Sequence, residues 1–313
     1  MADKEMRAVY AQTLIELAGK NENIVVLEAD LMKATGTASF KACFPERTFN
    51  VGVAEANMVG IAAGLSATGK IPFAASFACF SARRAYDQFF ISGNYARQNV
   101  KLVGTDPGIA AAYNGGTHMP FEDVGIIRNI PKIVIVEPCD PVSLKAVVKL
   151  MAEYKGCTYL RLFRKQAQEL YKEDETFELG KGKILHDGND ITLIACGVIM
   201  VKEALKARDI LESKGFSVAV IDMHTIKPLD NELVIRYAMK TKAVISCENH
   251  QIINGLGSAV AECLSENYPA KMKRIGIQDE FGEVGTQDYL LKHFGLAAEN
   301  IVNAAFELLS IIE

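Results

Sequence analysis

Glu55 is the one acidic side chain in Asn50-Val-Gly-Val-Ala-Glu-Ala-Asn-Met-Val-Gly-Ile-Ala-Ala-Gly-Leu65, where a short extended run turns into a helix. Ala54, Ala56, Gly60, Ala62, Ala63, Gly64 and Ala67 leave little bulk around it, so another backbone or a flat ligand can come close to the carboxyl. A carboxyl so placed can trade protons with whatever packs against it. It can equally be a first-turn acid that complements the helix macrodipole. His118 is the second candidate. It lies in Thr105-Asp-Pro-Gly-Ile-Ala-Ala-Ala-Tyr-Asn-Gly-Gly-Thr-His-Met-Pro120, and loops of this length are commonly functional. Its imidazole can shuttle a proton there, or sit idle at the surface.

Both residues have to be held by a sheet. A helical period from about Lys4 to Ala18 gives way to the strand Ile24-Val-Val-Leu-Glu28. The Glu55 helix, a strand around Ile71 to Ala75 and a helix carrying Ala85, Phe89 and Phe90 follow, then a strand at Val100 to Gly104. Lys132 to Val136, a helix from about Pro141 to Tyr154 and Thr158 to Phe163 complete a domain spanning 1–165. Residues 166–190 are charged and glycine-containing and read as a linker with one short strand. In 191–313 the alternation repeats, with strands at Ile191 to Cys196, Ser217 to Ile221, Ala243 to Cys247 and Met272 to Ile277. The fold class is therefore α/β, two domains each with a mainly parallel sheet flanked by helices. Ligands of such sheets collect beyond the carboxyl ends of the strands, where both candidates fall.

Composition narrows the partners. The chain has 313 residues, 50% of them hydrophobic, and a net charge of −4 with both signs interspersed, which argues against nucleic acid and anionic membrane. Met1-Ala-Asp-Lys-Glu-Met-Arg7 is too charged for a secretory signal, and a cytoplasmic protein is expected. Cys43, Cys79, Cys139, Cys157, Cys196, Cys247 and Cys263 contain no C-x-x-C and read as reduced core thiols. Ile253-Asn-Gly-Leu-Gly257 is too short for a dinucleotide fingerprint, and no phosphate loop of the full G-x-x-x-x-G-K-[ST] type is present.

Asn50 to Leu65, Phe77 to Gln88, Gly115 to His118, Arg161 to Arg164 and Met223-His-Thr-Ile-Lys-Pro-Leu-Asp230 together resemble the C-terminal half of transketolase over essentially the whole chain. The resemblance implies a pyrimidine-binding domain followed by the family's C-terminal domain. It also implies thiamine diphosphate as cofactor, and transfer of a two-carbon ketol unit from a ketose (phosphate or similar anionic sugar) to an aldose. In full-length members a preceding domain holds the diphosphate and its magnesium through a G-D-G motif followed by paired asparagines. That motif is absent here, and Asp187-Gly-Asn-Asp190 is no substitute. The chain thus resembles one subunit of a split transketolase. The expected partner is an N-terminal subunit carrying G-D-G and the magnesium, in a heterotetramer or homodimer of heterodimers, with no metal ligand on this chain.

By the same resemblance Glu55 is the acid at the cofactor's N1'. There it favours the tautomer whose 4'-amino group takes the proton from thiazolium C2, and a carboxyl buried among alanines and glycines tends to hold the proton this needs. Phe77 and Phe80 line the cofactor, Phe80 packing on the pyrimidine face, and Asp30 lies near it at the subunit interface; Phe89 and Phe90 are left as core. His118 matches the histidine near the reacting carbon of the donor. Arg7 and Arg164 match two arginines that grip the substrate phosphate. Two positions depart from the family: its phosphate-contacting histidine corresponds to Asp106, and the aspartate beside the substrate hydroxyls to Asn114. Asp106 either lines the pocket, where it repels a phosphate, or points to solvent. A substrate other than an ordinary pentose phosphate is expected. The rival readings are the β subunit of a 2-oxo acid dehydrogenase and a noncatalytic scaffold of the same fold. Thr117-His118 with Arg7 and Arg164 favours a sugar, and Glu55, Phe80 and His118 together favour a catalyst.

Overall fold

Ile24–Glu28, Lys101–Thr105 and Thr158–Leu162 are buried at every position, as strands covered on both faces must be. The structure, a computed structural model, describes residues 4–310, so the outermost ends of the expected domains, 1–3 and 311–313, lie outside the described residues. These three strands belong to a seven-stranded sheet in the order Thr225–Lys227, Val134–Val136, Thr158–Leu162, Lys101–Thr105, Ile71–Phe77, Ile24–Glu28, Thr48–Asn50. All pair in parallel except Thr225–Lys227, which comes from the second half of the chain and adds antiparallel to Val134–Val136. The second sheet has five strands in the order Lys271–Ile277, Ala243–Gln251, Ile191–Ala195, Val218–Asp222, Lys183–His186, the last antiparallel at the edge.

The 166–190 segment therefore contributes an edge strand to the second sheet. A second short strand, Gln166–Ala167, pairs antiparallel with Lys4–Glu5. Helices Met6–Ala18 and Pro141–Glu153 cover one face of the first sheet, with Tyr10, Leu14, Leu144, Val148 and Met151 in its core. Asp140 and Ser143 close a capping box at the start of the latter helix, satisfying amides that would otherwise be unpaired. Glu55–Ala67 covers the other face through Met58, Val59 and Ala62, beside Leu27 and Leu102.

Arg161 ties the two sheets together. Fully buried, it donates to both carboxylate oxygens of Asp123 at 2.8 and 3.1 Å, to Glu137 Oε2 at 2.7 Å and to the Asn249 carbonyl of the second sheet at 3.1 Å. Burial raises the Glu137 carboxyl, and the guanidinium beside it opposes that rise.

The single helix expected after Phe77 is broken into Ala78–Arg83, Tyr86–Gln88 and a π turn, Phe89–Tyr95. Asn94 Nδ2 donates to the Phe89 carbonyl at 2.8 Å, so a side chain competes for a backbone acceptor inside the wide turn. Phe89 is core, whereas Phe90 is half-buried. Six of the seven cysteines are buried; Cys43 is exposed. No helix of the described residues is long and apolar enough to cross a membrane.

Candidate active site

The carboxyl ends of five neighbouring strands of the first sheet converge on one pole. Asp30 follows Ile24–Glu28, Glu55 follows Thr48–Asn50, Phe77 ends Ile71–Phe77, Asp106 follows Lys101–Thr105, and Arg164 follows Thr158–Leu162. His118 sits on the long loop after Lys101–Thr105, in the short 3-10 turn Gly116–His118.

Glu55 is the first residue of its helix and 2% exposed. Ser76 Oγ donates to its Oε1 at 3.0 Å, and Arg84 Nη1 reaches Oε2 at 3.2 Å. The surround of alanine and glycine alone is thus corrected: the carboxyl has a hydroxyl donor and a guanidinium, because Arg84 lies one helical turn beyond Phe80 and folds back over it. The Arg84 guanidinium stands 3.8 Å from the Phe80 ring centroid and is 48% exposed, so water screens its pull on Glu55. The i, i+4 spacing of Phe80 and Arg84 is the sequence signal that could have revealed this partner.

Phe77, Phe80 and His118 form an aromatic cluster. The His118 ring meets Phe80 edge-on at 5.2 Å and Phe77 at 5.9 Å, and the two phenylalanines are 6.1 Å apart. Thr117 Oγ1 lies 2.9 Å from His118 Nδ1, and among the described residues Nε2 makes no hydrogen bond. Arg83, paired with Glu122 at 2.9 Å, also donates to the Thr117 carbonyl at 3.4 Å. The second domain braces this loop: a Cβ on Gly116 would lie 2.1 Å from the Gly282 carbonyl, so only glycine allows the contact.

Asp106 is 1% exposed and accepts from Arg164 Nε at 2.7 Å, which removes the solvent-facing alternative. Its backbone is left-handed at φ +57°, a conformation aspartate tolerates better than most residues. Burial raises its carboxyl, and the Arg164 guanidinium opposes that rise; Oδ2 is buried without a partner among the described residues. Arg164 also lies over Phe77, 5.4 Å from the ring centroid, and the Arg7 amide donates to the Arg164 carbonyl at 3.3 Å. Arg7 itself binds Glu5 at 2.7 Å and the Lys33 carbonyl at 3.2 Å. Lys165, unremarked in the sequence, joins this group; burial lowers its ammonium and Asp106 pulls it back up.

Two expected members face solvent. Asp30, exposed and left-handed at φ +64°, exchanges hydrogen bonds with Asn50 at 2.9 and 3.0 Å. Asn114 is exposed at the end of the 3-10 turn Gly108–Asn114 and makes no side-chain hydrogen bond among the described residues.

The pole thus offers a buried carboxyl, aromatic walls, a histidine and a cluster of cations around one buried aspartate. The family model for the transketolase pyrimidine-binding domain matches residues 2–169, and that for the transketolase C-terminal domain residues 180–301. The chain belongs to the transketolase family. It is 50% identical over 97% of its length, and 94% of the relative's, to the 6-deoxy-6-sulfo-D-fructose transketolase subunit of a Clostridium species. It is 47% identical, covering 97% of this chain and 96% of the relative, to a putative transketolase C-terminal section of Methanocaldococcus jannaschii. A solved structure described as a split gene transketolase, inactive β4 tetramer, superposes with a TM-score of 0.91 at 43% identity, covering 98% of each chain. The Campylobacter jejuni transketolase, at 22% identity and a TM-score of 0.82 over 47% of its chain, shares the fold. This transketolase subunit is therefore a transferase component of a family that depends on thiamine diphosphate, and these relatives favour that function over the dehydrogenase and scaffold alternatives.

Proposed function

We propose that this chain supplies the pyrimidine side of a two-subunit transketolase whose ketose donor ends in a monoanionic group, a sulfonate in preference to a phosphate. The observation that carries the reading is the buried Asp106 carboxylate against Arg164. A sulfonate carries a single negative charge at neutral pH, whereas a phosphate monoester carries about 1.5 to 2. A carboxylate beside the arginines that receive the anion disfavours the phosphate more strongly. The 6-deoxy-6-sulfo-D-fructose transketolase subunit at 50% identity supports the same direction.

The residues at the pole fit thiamine. Glu55 would present its buried carboxyl to a polar atom of an aminopyrimidine, the small residues of its helix would leave room for a flat ring, and Phe77 and Phe80 would offer apolar walls. When bound, the cofactor supplies a carbon nucleophile for the ketose carbonyl. Glu55 holds or passes the proton at N1', with Ser76 and Arg84 orienting its oxygens. His118, with Nε2 free, exchanges a proton with a substrate oxygen near the reacting carbon, while Arg7 and Arg164 position the far anionic end. Asp30 and Asn114, exposed in the lone chain, serve where the partner and the sugar hydroxyls close over this pole. We assign magnesium and the G-D-G motif to that partner, place the complex in the cytosol, and divide the chain into 1–165 and 191–313 about the 166–190 segment.

Reconstitution tests this. The chain mixed with its N-terminal subunit, thiamine diphosphate and magnesium should transfer the ketol unit from a sulfonated ketose with a higher kcat/KM than from the matching phosphate. Equal or reversed preference refutes the sulfonate assignment, and activity of this chain without the partner refutes the two-subunit reading.

A further inference from the structure

At the amino-terminal end of the first sheet, opposite the pole that carries Glu55, a cavity of about 960 Å³ opens. It lies between the end of the Glu55–Ala67 helix, the π turn Phe89–Tyr95, and the loops leading into Val134–Val136 and Thr158–Leu162. Its volume is in the range of small-molecule sites. The charged lining is entirely cationic: Lys70, Arg97, Lys132 and Lys155, with no Asp or Glu, in a chain whose net charge is −4. Among the described residues none of the four pairs with a carboxylate, and Lys70 makes a single side-chain hydrogen bond, to Asn23 Oδ1 at 3.2 Å. Other cavities mix the signs, as where Arg128 faces Glu262 or Lys183 faces Glu175.

The floor of the cavity is fixed while its rim is unspent. Buried Lys101 donates from Nζ to Asn99 Oδ1 and the Tyr154 carbonyl at 2.7 Å and to the Gly156 carbonyl at 2.8 Å. Asn99 Oδ1 also accepts from Gly156 N at 3.0 Å, and Asn99 N donates to Ser66 Oγ at 2.7 Å. Above this network Phe90 and Tyr154 form apolar walls and Tyr95 stands 80% exposed. Arg97 and Lys132 occupy left-handed backbone at φ +57° and +62°, a strained conformation that concentrates at ligand clamps. Unpaired cations call for an anion, and exposed aromatic faces call for a planar group.

We propose that this cavity binds a phosphorylated ligand carrying a planar ring, its phosphate on Arg97, Lys132, Lys70 and Lys155 and its ring against Tyr95 and Phe90. The site is separate from the transketolase pole and does not depend on the reading given to it.

Titration calorimetry of the full chain with AMP, and separately with inorganic pyrophosphate, tests the proposal. AMP should bind one site with Kd below about 1 mM, at least about tenfold more weakly when salt rises from about 0.05 to about 0.5 M. Arg97→Gln combined with Lys132→Gln should weaken both probes at least about tenfold. Tyr95→Ala should weaken AMP by a similar factor and leave pyrophosphate unchanged, and Arg164→Gln should leave both unchanged. Absence of saturable binding of either probe by the wild-type chain overturns the site. So does binding that survives the Arg97 and Lys132 changes but is lost with Arg164→Gln. AMP binding indifferent to Tyr95→Ala overturns the ring half of the assignment. Wild-type binding of pyrophosphate that does not weaken with salt overturns the cationic site without recourse to any variant.

Discussion

Replacing Asp106 by asparagine keeps the side-chain shape, the left-handed backbone and an oxygen that can accept from Arg164 Nε, and removes only a charge. An anion held by the far edge of the Arg164 guanidinium would sit about 6 Å from that carboxylate; with an effective dielectric of about 40, one charge pair at this distance amounts to about 1.4 kcal/mol. Relief of that repulsion lowers KM about tenfold for a sulfonated donor and, with nearly two charges, up to about a hundredfold for a phosphorylated one. The preference for sulfonate over phosphate should therefore narrow about tenfold, and a neutral deoxy-ketose should be unaffected. The assay is steady-state ketol transfer by the reconstituted complex with the three donors, repeated at high salt, where both gains should shrink. The asparagine puts an unpartnered amide donor where Oδ2 had no partner and weakens the bond from Arg164, so the fold should lose about 1–3 kcal/mol, checked by urea unfolding. Unchanged or raised KM for both anionic donors would refute the idea that Asp106 faces the substrate anion.

Three further outcomes are expected. Glu55→Gln in the reconstituted complex should cut turnover at least about 10²-fold and slow hydrogen–deuterium exchange at thiazolium C2, with the melting temperature held; wild-type exchange in the variant would return Glu55 to a macrodipole role. Arg161→Met should destabilise the chain by about 3–5 kcal/mol in urea unfolding, because Asp123 and Glu137 are left buried without their cation; a loss below about 1 kcal/mol would show that the triad is not holding the sheets together. Burial raises the Glu28 carboxyl from 4.5 to about 7, against the hydroxyls of Thr35 and Thr37 that pull it down. Its contribution to stability is then fully present below the unfolded value near 4.5 and is lost as pH rises through about 7. Wild type should lose about 3 kcal/mol between pH of about 4.5 and 8 relative to Glu28→Gln, and parallel curves for the two proteins would contradict this.

Much of the architecture was legible in the chain itself. Parallel strands buried on both faces must be short apolar runs, and amphipathic helices between them must show a 3.6-residue period, so strand and helix alternation is written locally. The small-residue run about Glu55, the long loop carrying His118 and the arginine after Thr158–Leu162 were likewise readable, since the residue type and its place after a strand carry the information. What local pattern does not encode is pairing across distance. Thr225–Lys227 joins the first sheet although it follows a strand of the second, and Lys183–His186 forms a sheet edge inside a charged stretch. Three- and four-residue strands have too few side chains to show a period, and only the partner edge selects them. The same holds for charge. Whether Asp106 meets solvent or Arg164, and whether Glu55 is bare or held by Arg84 and Ser76, depends on which side chains the fold brings within about 3 Å, and that is a property of the packed sheet ends, not of the spacing along the chain.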